Sequence, residues 1–310
     1  MHYRSRFQLL AVIFATVSPL LAQKPSRIVM SPVPIFEENS AQSSGPAKTG
    51  AFFDVKQNQL VLVLPGSGPL PVQLRFDIPN GVNAAIGFSL QPLGMGTIKY
   101  EYSLSDDTAS PQRSNRLMIL LPNSDSSLAG SGPWVFERER TSFAEHAGAA
   151  HMGTMTFASW RDPSSSEGKI AGLVVGLEST WLPGFADAFV EGHVKNPLGR
   201  SVLAGLPLQI AQQVEHFLQP GIGNSAHLVI APLFRSNTPK IVVAANYHFG
   251  ISALRQAGRI GAASPYADQL LQSLSRFVDA GGTGVLGATS AAPDGPLEKA
   301  IQQAVALALK

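Results

Sequence analysis

Short runs in which apolar and polar residues alternate constrain this chain more than any other feature of its 310 residues. The two clearest runs cover residues 72–78 and 98–104. Because successive side chains of a strand point to opposite faces, each run predicts a strand with one buried and one solvent-facing side. Further predicted strands cover residues 59–64, 84–90, 116–121, 134–139, 154–160, 169–177 and 185–194.

The segments between these strands are rich in turn residues, and the chain contains 29 Gly and 23 Pro. Examples are the segments 65–68, 79–81, 122–125 and 183–184. Strands this close together leave little room for crossover helices, which favours an antiparallel arrangement over a parallel α/β sheet. We therefore predict a mainly β fold, with a β-sandwich or jelly-roll domain over residues 51–195. A binding site is expected in its end loops or on an exposed sheet face.

The remaining segment, residues 196–310, is predicted to be mostly helical with one β-hairpin. Apolar residues recur at helical spacing over 206–218, and two β-rich runs, 227–231 and 240–245, form the predicted hairpin. Ser264 and Pro265 are typical of a helix N-cap and first turn. A last helix is expected after Gly295, with Ile301 on its buried side and Glu298 on its solvent side.

The N-terminal segment has the pattern of a secretory signal peptide. Arg4 and Arg6 precede an apolar run over 9–17, and the small residue Ala22 ends the segment. This pattern predicts export and cleavage of residues 1–22, with a secreted or periplasmic location in a bacterium. The apolar run is too short for a stable membrane span, so the mature chain is expected to have none. Residues 23–50 are predicted to be a flexible linker.

Charge and cysteine content exclude several classes of function. The chain has 23 Lys plus Arg and 21 Asp plus Glu, and its leader holds two arginines and no acid, so the mature protein is expected to be neutral. A neutral chain without a basic run lacks the electrostatic footprint of a nucleic-acid binder. Because cysteine is absent, disulfides, thiolate metal sites and catalytic thiols are excluded.

Three short segments carry a resemblance to known proteins. They are residues 100–107, the run 117–122 and the segment 182–192. Together they resemble a broad class of uncharacterised exported bacterial β-sandwich modules, over about residues 70–195. The resemblance implies an antiparallel sandwich in an extracytoplasmic protein. It supplies no catalytic residues.

Two histidines suggest a metal site. His146 and His151 are five residues apart, next to Glu145. The zinc hydrolase motif needs two histidines four apart on one helix face, with a glutamate between them. On a helix these two would point about 140° apart, since each residue advances roughly 100°. The alternatives are a loop-assembled metal site and an exposed pair without metal.

The acids of two predicted turns suggest a calcium site. Asp106 and Asp107 form one such group, and Asp125 lies in the other. Carboxylate oxygens are suitable ligands for Ca²⁺. Asp also favours turns by bonding its own backbone, so a purely structural role is the alternative.

Trp134, Trp160 and Trp181 are the three tryptophans of the chain. Flat aromatic faces stack on sugar rings, and large aromatic side chains also fill sandwich cores. Both interpretations are kept for these residues: ligand binding, and core packing.

Residues 282–287 match the dinucleotide pattern G-x-G-x-x-G by letter. Phosphate binding requires that these glycines follow a strand and open a helix. Here they follow a predicted helix, so helix termination is the better interpretation. The sequence contains neither G-x-S-x-G nor a Walker A motif, which removes the usual support for a serine hydrolase or an NTPase.

The sequence therefore predicts an exported, non-catalytic binding or structural module of a bacterial envelope or secretome, without a cofactor apart from a candidate Ca²⁺. Carbohydrate or an envelope protein is the expected partner, and self-association through C-terminal helices is a further hypothesis. The alternative function is an exported hydrolase acting on polysaccharide or peptide, with the paired histidines and acids assembled by loops.

Overall fold

The structure is a computed structural model, and it describes a defined part of the chain. The described residues are 50–54, 57, 59–64, 72–77, 81–122, 128–141, 155–164, 168–196, 198, 202, 205–206, 208, 211, 214 and 226–309. The predicted leader, nearly all of the predicted linker, and most of the predicted helix over 206–218 lie outside them.

The described part is mainly β, with twelve strands followed by three helices. The strands are β1 (Gly50–Asp54), β2 (Gln59–Leu64), β3 (Val72–Asp77), β4 (Ala84–Gly94), β5 (Thr97–Asp106), β6 (Ser114–Leu121), β7 (Ala129–Ser131), β8 (Val135–Thr141), β9 (Met155–Arg161), β10 (Leu173–Ser179), β11 (Leu182–Gly192) and β12 (Ala226–Phe234). The helices are α1 (Lys240–Gln256), α2 (Pro265–Asp279) and α3 (Gly295–Ala308).

These strands form three antiparallel sheets, with the orders β1-β2-β3, β4-β5-β10-β7 and β12-β11-β6-β9-β8. All nine strands expected from alternation and turn spacing are present, which confirms a mainly β, antiparallel fold. None of the helices in the described part of the chain is long and apolar enough to cross a membrane.

Strand β5 shows how alternation builds the core. Its apolar side chains at positions 98, 100, 102 and 104 are all buried, whereas Ser103 between them is exposed. The Tyr102 ring lies 5.9 Å, centroid to centroid, from the Trp160 ring of β9. Side chains of the second sheet therefore contact the third sheet through aromatic packing.

The three-stranded sheet has its own apolar cluster. Leu60, Leu62 and Phe76 are buried there together with Val214, a residue of the predicted helix over 206–218. At the other end of β3, Val72 is 46% exposed. The alternating face of this strand is therefore buried only toward its C-terminal end.

The predicted hairpin of 227–231 with 240–245 is wrong. The first run belongs to β12, which pairs with β11 along the edge of the third sheet. The second run is the first turn and a half of α1. Ile241, Val242 and Val243 have high β propensity, but a short apolar run does not distinguish a strand from a buried helix. Buried residues follow at helical spacing through Leu254, and this longer pattern defines the helix.

The chain divides into two compact units, one ending at Arg235 and the other containing Ser236 onwards. The two later helices lie where the sequence predicts them, although Glu298 of α3 is buried and not on the solvent side as predicted. Ser264 caps α2 by accepting a hydrogen bond from the Ala267 main-chain N–H at 3.1 Å. Helix α3 begins at Gly295, with Ile301 buried as expected.

The glycines of 282–287 follow the C-terminal end of α2 and do not open a helix. Gly282 has φ +75°, and a Cβ there would lie 2.8 Å from the Ile241 Cβ. Both the positive φ and the close approach require glycine. Backbone conformation and packing therefore explain Gly282 without a bound phosphate, in agreement with the interpretation of this segment as a helix end.

Candidate functional site

Two of the three tryptophans lie in the interior. Trp160 is fully buried and Trp134 is 6% exposed. The Trp160 ring also contacts Phe136 at 5.4 Å between centroids. Neither ring offers an exposed face on which a sugar could stack, so core packing explains both residues. Trp181 remains as the tryptophan available to a ligand.

Trp181 lies at the turn between β10 and β11 and is half-buried. The Arg235 guanidinium carbon lies over its ring, 5.2 Å from the ring centroid. Arg235 is exposed and directly follows β12. A cation above an aromatic face is attracted by the ring quadrupole. The pair therefore combines an apolar surface with a fixed positive charge.

Asp106, one of the two acids of the first predicted turn, is bound by neighbouring donors. Its carboxylate accepts hydrogen bonds from the Ser114 main-chain N–H at 3.2 Å, from the Ser114 hydroxyl, and from the Ile170 N–H at 2.8 Å. These contacts tie the end of β5 to the start of β6 and to the segment before β10. Asp106 thus has a complete structural role.

Asp107 is also engaged. Its carboxylate accepts from the Asn83 side-chain amide and from the Ala109 main-chain N–H, both at 2.9 Å. A calcium ion would have to compete with these donors for the same oxygen lone pairs. Among the described residues, no group of three or more His, Asp or Glu side chains is placed to hold a metal ion. His146, His151 and Asp125 lie outside the described residues.

A network of charges on the third sheet was missed by sequence analysis. Arg116 donates to Ser159 Oγ and to Glu191 Oε2, both at 2.9 Å, and it forms a second ion pair with Glu139. Its side chain is only 14% exposed. The available sequence signal was the charged run of β8, residues 137–140, but Arg116 lies on β6, two strands away in the same sheet.

A separate ion pair, Arg113 with Asp162, is buried near the start of β6. Burial alone would raise the Asp162 pKa, but hydrogen bonds from the Ser164 main chain and side chain and from Arg113 lower it below its usual value. Both the network and this pair neutralise charge within the fold. Their geometry is that of structural ion pairs, since each acid faces a cation of the same unit.

Asp187 on β11 was also missed. Along the strand it shares a face with Phe185 and Phe189, and Leu228 of β12 lies opposite. Burial raises its pKa to about 6. An acid between apolar residues, in Phe185–Phe189, was the available sequence signal.

Comparison of the chain with protein families, with curated proteins and with solved structures finds no match in any of the three. The geometry of the site therefore carries the functional argument.

Proposed function

We propose that this chain is an exported, non-catalytic β-sandwich module that binds carbohydrate in a bacterial envelope or secretome. The two larger sheets are the layers of the proposed sandwich. Two contacts between these sheets support this arrangement. The Tyr102 ring contacts the Trp160 ring, and the Tyr102 hydroxyl donates a hydrogen bond to the Ile230 main-chain oxygen at 3.1 Å. The predicted leader supports export.

One observation carries the binding role: the Trp181–Arg235 pair presents recognition groups near the surface. In contrast, the carboxylates of Asp106 and Asp107, the predicted metal ligands, accept hydrogen bonds from main-chain N–H groups and from a side-chain amide. Aromatic rings with nearby polar groups are typical of carbohydrate contacts, since one sugar face is apolar. Binding without bond cleavage is the function that these groups support best.

The proposal is tested with the full-length gene expressed in a bacterial host. Mass spectrometry of the exported product should give a chain beginning at Gln23. That product should be retarded in gels containing polysaccharide and should release no new reducing ends from it. Release of product that is lost in the His146→Ala and His151→Ala variants would overturn the proposal in favour of the hydrolase. Retention by none of the polysaccharides would overturn the binding role.

A further inference from the structure

The hairpin that joins β4 to β5 ends in a tight turn with an unusual residue. Met95 and Gly96 lie between the paired residues Gly94 and Thr97, and their φ angles are +47° and +75°. Positive φ at both central positions is typical of the type I′ turn, in which Asn-Gly is favoured because few side chains tolerate this conformation. Of the residues that the structure describes, Met95 alone among non-glycines has a positive φ. Methionine is therefore a costly choice for the turn itself.

The same turn holds apolar side chains in solvent. Met95 is fully exposed, and Leu93, two residues before it, is 47% exposed. A Cβ added at Gly94 or Gly96 would meet no atom within 4 Å, so there is open space on both sides of Met95. Met95 thus combines an exposed apolar side chain with a strained main chain. Strain that is kept in a folded protein points to a function.

No charge interrupts this apolar tip. Residues 78–98 contain no Asp, Glu, Lys, Arg or His. Lys99, which follows them, is paired with Glu101 at 2.8 Å. Moving the tip out of water therefore carries no cost for removing an unpaired charge from its hydration shell.

The small size of the tip limits which surfaces it can bind. A stable protein interface takes about 20–30 residues, or about 800 Å², from each partner. Residues 92–96 supply only a small part of such an interface, whether the partner is a second copy or another protein. The interfacial region of a lipid bilayer accepts apolar side chains without a matching surface. Lipid is therefore the partner that size and lack of charge favour.

We propose that the tip of the β4–β5 hairpin inserts Leu93 and Met95 into the surface of a lipid bilayer. The two side chains enter the boundary between headgroups and acyl chains. Together they are smaller than one myristoyl chain, which binds membranes reversibly with an association constant of roughly 10⁴ M⁻¹. The contact is therefore weak and reversible, and is measured at millimolar lipid. It uses none of the groups assigned to carbohydrate, so either function can fail without the other.

Flotation of the mature protein with vesicles of phosphatidylethanolamine and phosphatidylglycerol tests the proposal. The bound fraction should rise with lipid concentration and should not fall when salt is added, because apolar insertion is not screened. Met95→Asn should lower the association constant roughly 10-fold, through loss of one buried apolar side chain. Asparagine tolerates a positive φ, so this variant should melt no lower than the unaltered protein. Val285→Asn is the matched control, because Val285 is 95% exposed in the other compact unit; it should bind as the unaltered protein does.

A label at the turn shows whether the tip itself enters the lipid. The chain contains no cysteine, so Met95→Cys and Val285→Cys each provide a single site for a thiol-reactive, polarity-sensitive fluorophore. With vesicles present, the emission of the label at position 95 should shift to shorter wavelength, and that of the label at position 285 should not. A shift at both positions, or at neither, would overturn the proposal.

Other results would also contradict membrane insertion. Vesicle binding that added salt abolishes would be adsorption by charge. Binding unchanged in Met95→Asn would mean that another surface contacts the lipid. A dimer that light scattering detects without lipid, and that Met95→Asn dissociates, would make a second copy the partner. Retention by polysaccharide without flotation would overturn this inference and leave the proposed binding function intact.

Discussion

Tyr102 of β5 donates a hydrogen bond from its hydroxyl to the main-chain oxygen of Ile230 in β12, 3.1 Å away. The Tyr102 side chain is fully buried, and burial raises the pKa of its hydroxyl well above its usual value, with a further contribution from Tyr100. The hydroxyl is therefore protonated at neutral pH and acts as a donor there. One side chain thus links a strand of the second sheet to the edge strand of the third.

Replacing Tyr102 by Phe keeps the ring that contacts Trp160 and removes only the donor. We expect the free energy of unfolding to fall by about 1–3 kcal/mol, the cost of a buried hydrogen bond whose acceptor loses its partner. Urea denaturation at pH 7 measures this change. Ser103→Ala is the control, because Ser103 is adjacent and exposed; its change should stay within about 0.5 kcal/mol. Equal losses in the two variants would contradict the assigned role of the hydroxyl.

Local pattern predicted the strands well because the alternation of apolar and polar residues within a strand does not depend on which strand it pairs with. Residues 98–104 show this, since their apolar positions are buried as expected. Partner choice depends on long-range pairing, which no local pattern contains. The pairing of β12 with β11, and hence the contact of Arg235 with Trp181, is such a case. The sequence therefore predicted one residue of the candidate site, Trp181, and missed Arg235.

Glu298 shows a second limit of local pattern. Helical spacing placed it on the solvent side of α3, but it is buried and accepts a hydrogen bond from the Ser264 hydroxyl at 2.6 Å. Its other oxygen accepts from the Asp294 main-chain N–H at 2.6 Å. A charged side chain can be buried where donors satisfy it. Those donors lie on two different segments, which the spacing within α3 could not reveal.

Ser264→Ala tests this contact between the helix ends. The change removes the N-cap of α2 and leaves Glu298 without one donor, so we expect a loss of about 1–3 kcal/mol in unfolding free energy. Thermal unfolding followed by circular dichroism measures it. Lys299→Ala is the control, since Lys299 is exposed next to Glu298. A loss no larger than that of the control would mean that the cap and its acid do not stabilise the helices.

Gly130 of β7 lies directly against the Phe136 ring, so that an added Cβ would overlap ring atoms. Gly130→Ala should therefore destabilise the protein by about 1–3 kcal/mol through overpacking. Gly168→Ala is the matched control, because a Cβ there meets no atom within 4 Å. Phe136→Leu makes room for the methyl group of Gly130→Ala. The double variant should therefore lose less unfolding free energy than the sum of the losses of the two single variants. Strict additivity in urea denaturation would contradict the contact.

Asp187 predicts a dependence of stability on pH. Burial raises its pKa from 3.8 to about 6. Between these two values the folded protein holds a proton that the unfolded chain has released, so stability falls as the pH rises through this range. Above pH 6, the ionised carboxylate should cost roughly 1–3 kcal/mol, because the side chain is half-buried and part of the charge is solvated.

Asp187→Asn removes this ionisation while keeping the size of the side chain. The variant should be more stable than the unaltered protein at pH 7.5 and should lose that advantage at pH 4, as measured by urea denaturation at both values. Asp279→Asn is the control, because Asp279 is an exposed acid of α2. Its unfolding free energy should differ from that of the unaltered protein by the same small amount at both pH values. If Asp187→Asn gave an equal change in unfolding free energy at the two pH values, the carboxylate would be paired or solvated. The apolar surroundings of Phe185, Phe189 and Leu228 would then not control its charge.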